Sequence, residues 1–490
     1  MNPLALGFFM ICATALLAVP RKWAPVPLLL GCTYMTLGQG IELGPLSLPI
    51  YRMLLLVGVI RVITKGESLP GGFNLIDKLM IAWGVWVVFA SFFHDPERAG
   101  PIYACGLVFN QTLIYFLIRI WCADLEEVSD VIRIVALLMV PIAIEMTIEK
   151  VTGRNSFAVF GGVPDYVMIR EGKLRAQGPF RHPILAGTVG ATCIPLFVGI
   201  LKRHRHEAMA GIGAGVVIVF TSASSGPVMS LLAGAGALAL WRFKDRLKAL
   251  RGGAVALYVG LMFLMARPPY YLISRIDISG GSTGWHRAFL IEQTFSHLSE
   301  WWLFGTDETR HWMPNQGIAR DPHHTDITNY YIGHGVTAGL PAMLLVIWML
   351  LVAFRWVGQI HDTRLAEWPS QSFMIWCFGA CLFSHAVTSI SVAYFDQSML
   401  YFWLSVAVIS SICSIVHLNQ ESGGIGTEAS EFDDKISAGA LADPAAITQA
   451  NAEWHRQKWH TAAGAPLGDP RWFSNRPRAT RLALCCLQKF

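Results

Sequence analysis

The sequence predicts an all-α polytopic membrane protein with about 12–13 transmembrane helices and two long external loops. Three observations carry that prediction: a low charge content, a series of long apolar runs, and basic residues gathered in short connections. Of the 490 residues, 53% are hydrophobic and 14% are charged, whereas soluble proteins carry roughly 25% charged residues. A spanning helix needs about 20 mostly apolar residues. Runs of that kind lie near 3–19, 24–40, 48–64, 75–93, 102–121, 130–149, 184–201, 207–222, 226–242, 254–272, 326–355, 371–392 and 397–417. The second is interrupted by prolines and glycines and reads as a weak or re-entrant segment.

The first run is followed, not preceded, by its charges, Arg21 and Lys22. That order is unlike a cleaved signal peptide and favours a first span with its N-terminus outside. Short basic connections face the cytoplasm. "KRHRH" (202–206), "RFKDRLKALR" (242–251) and, more weakly, 355–364 can all face that side consistently through the intervening spans. Two long segments, about 150–183 and 273–325, then lie outside. Residues 1–417 form the membrane domain. Residues 418–490 are polar and small, without a sustained apolar face, and read as a cytoplasmic, largely disordered tail. Cysteines fall in apolar runs, at a helix end or in the tail, so no disulfide framework is expected. Cys377 and Cys381, at helical spacing, read as core thiols.

Chemistry concentrates in the external loops. The first holds Lys150, Arg154, Arg170, Lys173, Arg175 and Arg181 against Asp165 and Glu171, six cations against two carboxylates, net +4. Arginine's planar fork suits phosphate oxygens, so an anion site is expected here. In "RAQGPFRHP", Gly178, Pro179 and Pro183 restrict the backbone that presents Arg175 and Arg181. In the second loop, apolar residues from Trp285 to Phe295 recur at helical spacing. They predict an amphipathic interfacial helix with Arg287 in its first turn. Trp301 and Trp302 suit the membrane–water boundary.

The stretch "RDPHHTDITNYYIGHGVTAG" (320–339) follows. Asp321 and Pro322 read as an N-cap and N1 pair, which would set His323 and His324 in the first turn of a helix. The positive helix end there attracts anions and favours a neutral, proton-accepting imidazole. His324, Thr328, Tyr331 and Gly335 would share a face, and Gly335 with Gly339 forms a GxxxG pair that admits another helix. "HDPERAG" (94–100) offers Asp95 and Glu97, an acidic pair that reads more simply as an Asp-Pro turn.

Three of these segments together resemble the O-antigen ligase and polymerase family of bacterial membrane glycosyltransferases. "RAQGPFRHPILAG" is similar to the family's R-x-x-G-x-F-x-H-P-N stretch. "STGWHRAFLIEQTFSHLSEWWLFGT" is similar to its arginine-bearing external helix. His324 followed by Gly335 is similar to its H-[NSQ]-x9-G-x-x-[GTY] pattern. Thr325, Ala338 and Ile184 depart from those patterns, as does "TSASSGP" (221–227), which has serine where the family's S-R-G has arginine.

The resemblance spans roughly 150–400 and implies a GT-C-like enzyme at the outer face of the bacterial inner membrane. It implies a donor glycan on undecaprenyl pyrophosphate and a glycan or lipid acceptor. It implies other polysaccharide-assembly proteins as partners, no metal or other cofactor, and no nucleic acid. Carried over, Arg175 and Arg287 would hold the pyrophosphate, with Arg181 and Arg170 behind them. His324 would activate or orient the acceptor hydroxyl, with His323 second. The competing expectation is a transporter for an anionic solute. Transporters usually keep ionisable sites near the midplane, often with repeat symmetry, whereas here the charges gather in loops.

Overall fold

The computed structural model describes residues 1–96, 100–275, 284–313, 322–362 and 369–415. Backbone contacts divide the chain into Met1–Leu418 and Asn419–Phe490, and the expected tail lies outside the described residues. The first unit is helical, as predicted; its strands, among the described residues, form two two-stranded hairpins.

The helices run α1 (Pro3–Ala18), α2 (Pro25–Tyr34), α3 (Ile50–Lys65), α4 (Leu75–Ala90), α5 (Pro101–Trp121), α6 (Leu125–Thr152), α7 (Pro183–Gly199), α8 (Arg205–Thr221), α9 (Ser225–Ala239), α10 (Leu247–Leu264), α11 (Gly284–Ser296), α12 (Leu298–Trp301), α13 (Tyr330–Asp362) and α14 (Pro369–Thr388). A final helix, α15, covers Gln397–Ile415. Among the described residues, six segments are long and apolar enough to cross a membrane: Leu75–Phe93, Pro101–Trp121, Leu125–Thr152, Ser225–Arg246, Tyr330–Gln359 and Gln397–Ile415. The end of α10 bends by 85° into Pro269–Arg275, and that pair would make a seventh.

Other predicted spans are shorter helices. The second apolar run yields α2, of only 10 residues. At 1.5 Å per residue it covers about 15 Å, half a bilayer core. The chain then turns back through the hairpin β1 (Gly40–Leu43) and β2 (Leu46–Pro49).

Helix α15 is the centre of the bundle and is buried along its length. Several of its polar side chains find partners on neighbouring elements. Tyr401 bonds Thr33 at 2.8 Å, and Ser410 accepts from Tyr115 and Asn74, each at 2.8 Å. Asn74 also caps α4 in a reciprocal box with Asp77. In hydrocarbon, where water cannot serve as partner, such pairing is what makes buried polar groups tolerable. At the other extreme, α10 exposes Val255, Leu257, Met262, Phe263 and Leu264, the surface expected of a helix solvated by lipid.

The predicted helix start at Asp321 and Pro322 needs correction. Asp321 lies outside the described residues, 322–329 are not helical, and α13 begins at Tyr330. The backbone of the earlier segment is committed elsewhere. The His323 carbonyl accepts from Thr309 and Arg310, both at 2.9 Å, and the Thr325 N–H donates to Thr309 Oγ1 at 2.9 Å. Asn329 caps the helix instead, its Oδ1 accepting from the Ile332 N–H at 3.0 Å. His323 and His324 therefore sit in an extended approach, without the helix-end dipole expected for them.

The GxxxG pair also serves a different purpose. Helix α13 breaks at Ala338 and Gly339, where φ reaches +79° at Gly339. The groups released by the break are taken up from outside the helix. The Val336 carbonyl accepts from Thr306 N–H at 2.9 Å, the Ala338 carbonyl from Trp86 Nε1 at 2.8 Å, and Leu340 N–H donates to the Trp302 carbonyl at 2.8 Å. Gly335 lies against Trp301, where an added Cβ would come within 2.6 Å of the ring. Trp301, expected at the membrane boundary, is fully buried for this reason, while Trp302 is exposed.

Alanine at Gly339 would drive its Cβ into the Leu303 carbonyl while holding a positive φ. We expect Gly339→Ala to lower stability by at least ~2 kcal/mol. Gly213→Ala, on α8 with nothing near the added carbon, should be neutral or stabilising by up to ~1 kcal/mol. Thermal unfolding in detergent measures both; equal midpoints for the two variants would contradict the packing described.

Candidate functional site

The site is built on a hairpin that the sequence reading did not anticipate. Strands β3 (Met168–Arg170) and β4 (Lys173–Arg175) pair antiparallel, Met168 opposite Arg175 and Arg170 opposite Lys173. Residues directly opposite one another share a face, so Arg170, Lys173 and Arg175 all stand on one side of the ribbon. Glu171 and Gly172 make the two-residue turn with φ of +50° and +74°, a primed hairpin turn. The alternation in "MIREGKLR" around Glu-Gly was the available signal, weaker than Asn-Gly or Asp-Gly.

Buried polar groups anchor the ribbon's exit. Glu149, near the end of α6, accepts from the N–H groups of Gln177 (3.0 Å) and Gly178 (2.8 Å). Asn155 Nδ2 donates to the Gly178 carbonyl at 2.9 Å, and Gln397 Nε2 to the Pro179 carbonyl at 3.1 Å. Gly178 takes φ of +56°, which explains a glycine in "RAQGPF". His182 then caps α7, accepting from Ile184 N–H at 3.2 Å, with Pro183 as first helical residue.

Arg175 is buried and donates from Nη2 to Ser224 Oγ at 2.6 Å. Ser224 follows Ala223, a non-glycine residue at φ of +44° in the turn between α8 and α9. Strain of that kind persists where the surroundings over-determine it. Arg287, in the first turn of α11 as predicted, is also buried. Among the described residues the Nε atoms of both arginines are buried without a hydrogen-bond partner.

Arg170 joins the two. Burial holds the Arg175 guanidinium below its ordinary pKa range, and the Arg170 charge lowers it further. Burial does the same to Arg287, again with Arg170 adding to it and Asp326 opposing it. One hairpin and one helix end, from different loops, thus set Arg170 within electrostatic reach of both Arg175 and Arg287. Arg175 and Arg287 are each disfavoured by desolvation and by the Arg170 charge, and an anion beside them relieves both penalties.

One residue beside Arg287 was not singled out from the sequence. His286, beside Arg287, lies 3.3 Å from the Asp326 carbonyl through Nε2. Its imidazole is pushed below the usual range, chiefly by burial. His324 stands two residues before Asp326, half-buried on the same approach. His323 points elsewhere, its Nδ1 2.9 Å from Glu308. Arg181 is exposed and lies 3.7 Å from Asp396, away from the interactions that join the other three arginines. Asp95, half of the acidic pair, places its backbone N–H 2.8 Å from Asp307, which also takes His94 at 2.6 Å. Its proposed partner, Glu97, lies outside the described residues.

Asp396 is a second strained position, with φ of +54°. It lines a small cavity of about 20 Å³ with Tyr51, Asn110 and Gln397. Burial pushes its carboxyl up to about 6, against the opposing pull of Arg181 and Arg52. A raised folded-state pKa favours the neutral form, so its stabilising effect is present at low pH and is lost as pH rises through about 6. We expect Asp396→Asn, at a backbone conformation asparagine tolerates, to match the parent near pH 4 and to unfold at a higher temperature than the parent above about pH 6. Melting curves across that range test it; a constant gap would exclude the titration.

Compared with known proteins, the chain matches no family model and no curated protein.

Proposed function

We propose that this chain is a glycosyltransferase of the O-antigen ligase and polymerase kind, working at the outer face of a bacterial inner membrane. One observation supports the reading above all. Arg170, Arg175 and Arg287 converge from two loops, and two of them carry buried Nε donors without partners among the described residues. A diphosphate offers several acceptor oxygens and matching charge. The second and third resembling segments also touch: the turn after "EWW" is hydrogen-bonded to the break in α13, and His286 lies 3.3 Å from the Asp326 carbonyl.

In this reading the donor is a glycan on a polyprenyl pyrophosphate, and the acceptor is a sugar or lipid hydroxyl. The bond from the anomeric carbon to the pyrophosphate oxygen breaks as a bond to the acceptor oxygen forms. Fixed cations stabilise the charge developing on the departing pyrophosphate. The acceptor proton passes to the His324 imidazole, which accepts it at a ring nitrogen. Arg181, held toward Asp396, and His323, held toward Glu308, take supporting places. The loops face the outside and the tail the cytoplasm, the arrangement the basic connections favour.

A second reading draws on the spans. Arg119 and Asp77 are fully buried 3.8 Å apart between helices. Intramembrane charges of that kind also occur on ion pathways, so an anion permease is the alternative.

The experiment is glycan analysis in cells carrying Arg170→Ala, Arg175→Ala, Arg287→Ala or His324→Ala at equal protein levels. Removing a cation from the leaving-group site should lower transfer by ~10²–10³-fold, and His324→Ala by ~10²–10⁴-fold. Intact glycan in all four, together with lost uptake of an anion, would favour the permease. Cysteine introduced at the exposed position 166, with Cys105 replaced by serine, should react with an impermeant reagent from outside. Labelling only after permeabilisation would invert the topology.

A further inference from the structure

The second external loop holds a cluster that the proposed transfer does not use. His297 follows the end of α11, Glu300 lies on α12, and His311 lies in the single turn Arg310–Trp312. One ligand atom from each lies within 4.8 Å of the others. We propose that these three residues form a transition-metal site, with Zn²⁺ the best-fitting ion.

The donor set is two imidazoles and one carboxylate, a set that zinc uses with an open fourth place for water. The second observation is how His297 is held. Its Nδ1 lies 2.8 Å from the Gln293 carbonyl. A carbonyl can only accept, so Nδ1 carries the hydrogen and Nε2 keeps its lone pair. Metal-bound histidines are fixed in this way by a carbonyl behind the ring. The carboxylate is oriented too, since Trp312 Nε1 donates to Glu300 Oε2 at 2.9 Å. The His297 ring stacks on Trp312 with centroids 5.7 Å apart.

Distances suit the ion. His311 Nε2 stands 2.9 and 3.1 Å from the two carboxylate oxygens. Two ligands at ~2.0–2.1 Å from a shared tetrahedral zinc stand about 3.3 Å apart. The widest pair must therefore close by up to about 1.5 Å, within the reach of side chains that are half-buried or exposed. Binding replaces the hydrogen shared by His311 and Glu300, so it releases a proton when His311 is charged.

The role is structural. His297 lies ten residues beyond Arg287, about 15 Å along the helix, too far to touch an anion held there. The ion would join the end of α11 to the turn whose N–H groups hold the His323 carbonyl. It would fix the approach that carries His324, whatever the reaction performed there.

The test uses the untagged full-length protein in detergent, stripped with chelator and titrated with Zn²⁺ against a chromophoric competitor. The parent should take up about one tight equivalent and gain thermal stability on binding. His297→Gln, Glu300→Gln and His311→Gln should each weaken that binding at least ~10-fold. Mg²⁺, which prefers an all-oxygen shell, should not compete. Metal-free variants should melt with the metal-free parent, which separates lost binding from lost fold. Zinc bound equally by the parent and a His297→Gln, His311→Gln double variant, or none bound by the parent, would overturn the site.

Discussion

A helix inside a membrane cannot break without finding new partners for its backbone, and α13 breaks at Ala338 and Gly339. Thr306, Trp302 and Trp86 supply those partners. An unpaired buried carbonyl or N–H costs ~1–3 kcal/mol, so the loop segment and the span stabilise each other. That clasp, with the His94–Asp307 pair beside it, fixes the turn after α12 on the bundle. Arg287 and His324, on either side of the clasp, share its frame.

The arginine cluster shows the same dependence at a second place. Its ribbon is small, and its geometry comes from groups beneath it. Glu149 grips the Gln177–Gly178 turn, Asn155 and Gln397 hold the next carbonyls, and Ser224 takes one arm of Arg175. Folding thus brings like charges together and leaves donor capacity unspent. Such an arrangement is unfavourable in isolation and is relieved by an anion placed beside it.

Much of this was legible in the sequence. Composition and run length gave the helical membrane class, and helical spacing located α11 within a residue at each end. The charge excess of the first loop identified Arg170 and Arg175. Misreadings came where tertiary partners override local signals. Asp321-Pro322 resembles a helix start, but the Thr309–Arg310 turn captures the backbone of His323, and Asn329 becomes the cap. Gly335 and Gly339 resemble a helix-docking pair, yet they face a tryptophan and a loop carbonyl. The hairpin of Arg170 and Arg175 escaped notice because three-residue strands carry too little periodicity to read. Prolines and glycines already set the second run apart as weak, but run length alone did not separate full spans from the shorter α3, α7 and α8.

Helix α15 has a consequence for biogenesis. It is synthesised after every helix that surrounds it, and it touches Thr33, Trp83, Tyr115, Tyr330 and His385 on five earlier elements. Until it leaves the ribosome, those elements lack the polar and aromatic contacts that it supplies. The bundle therefore closes from the inside and late, with the last helix threaded into a prepared slot. A nascent chain halted before residue 397 would be inserted in the membrane yet lack the centre around which it packs.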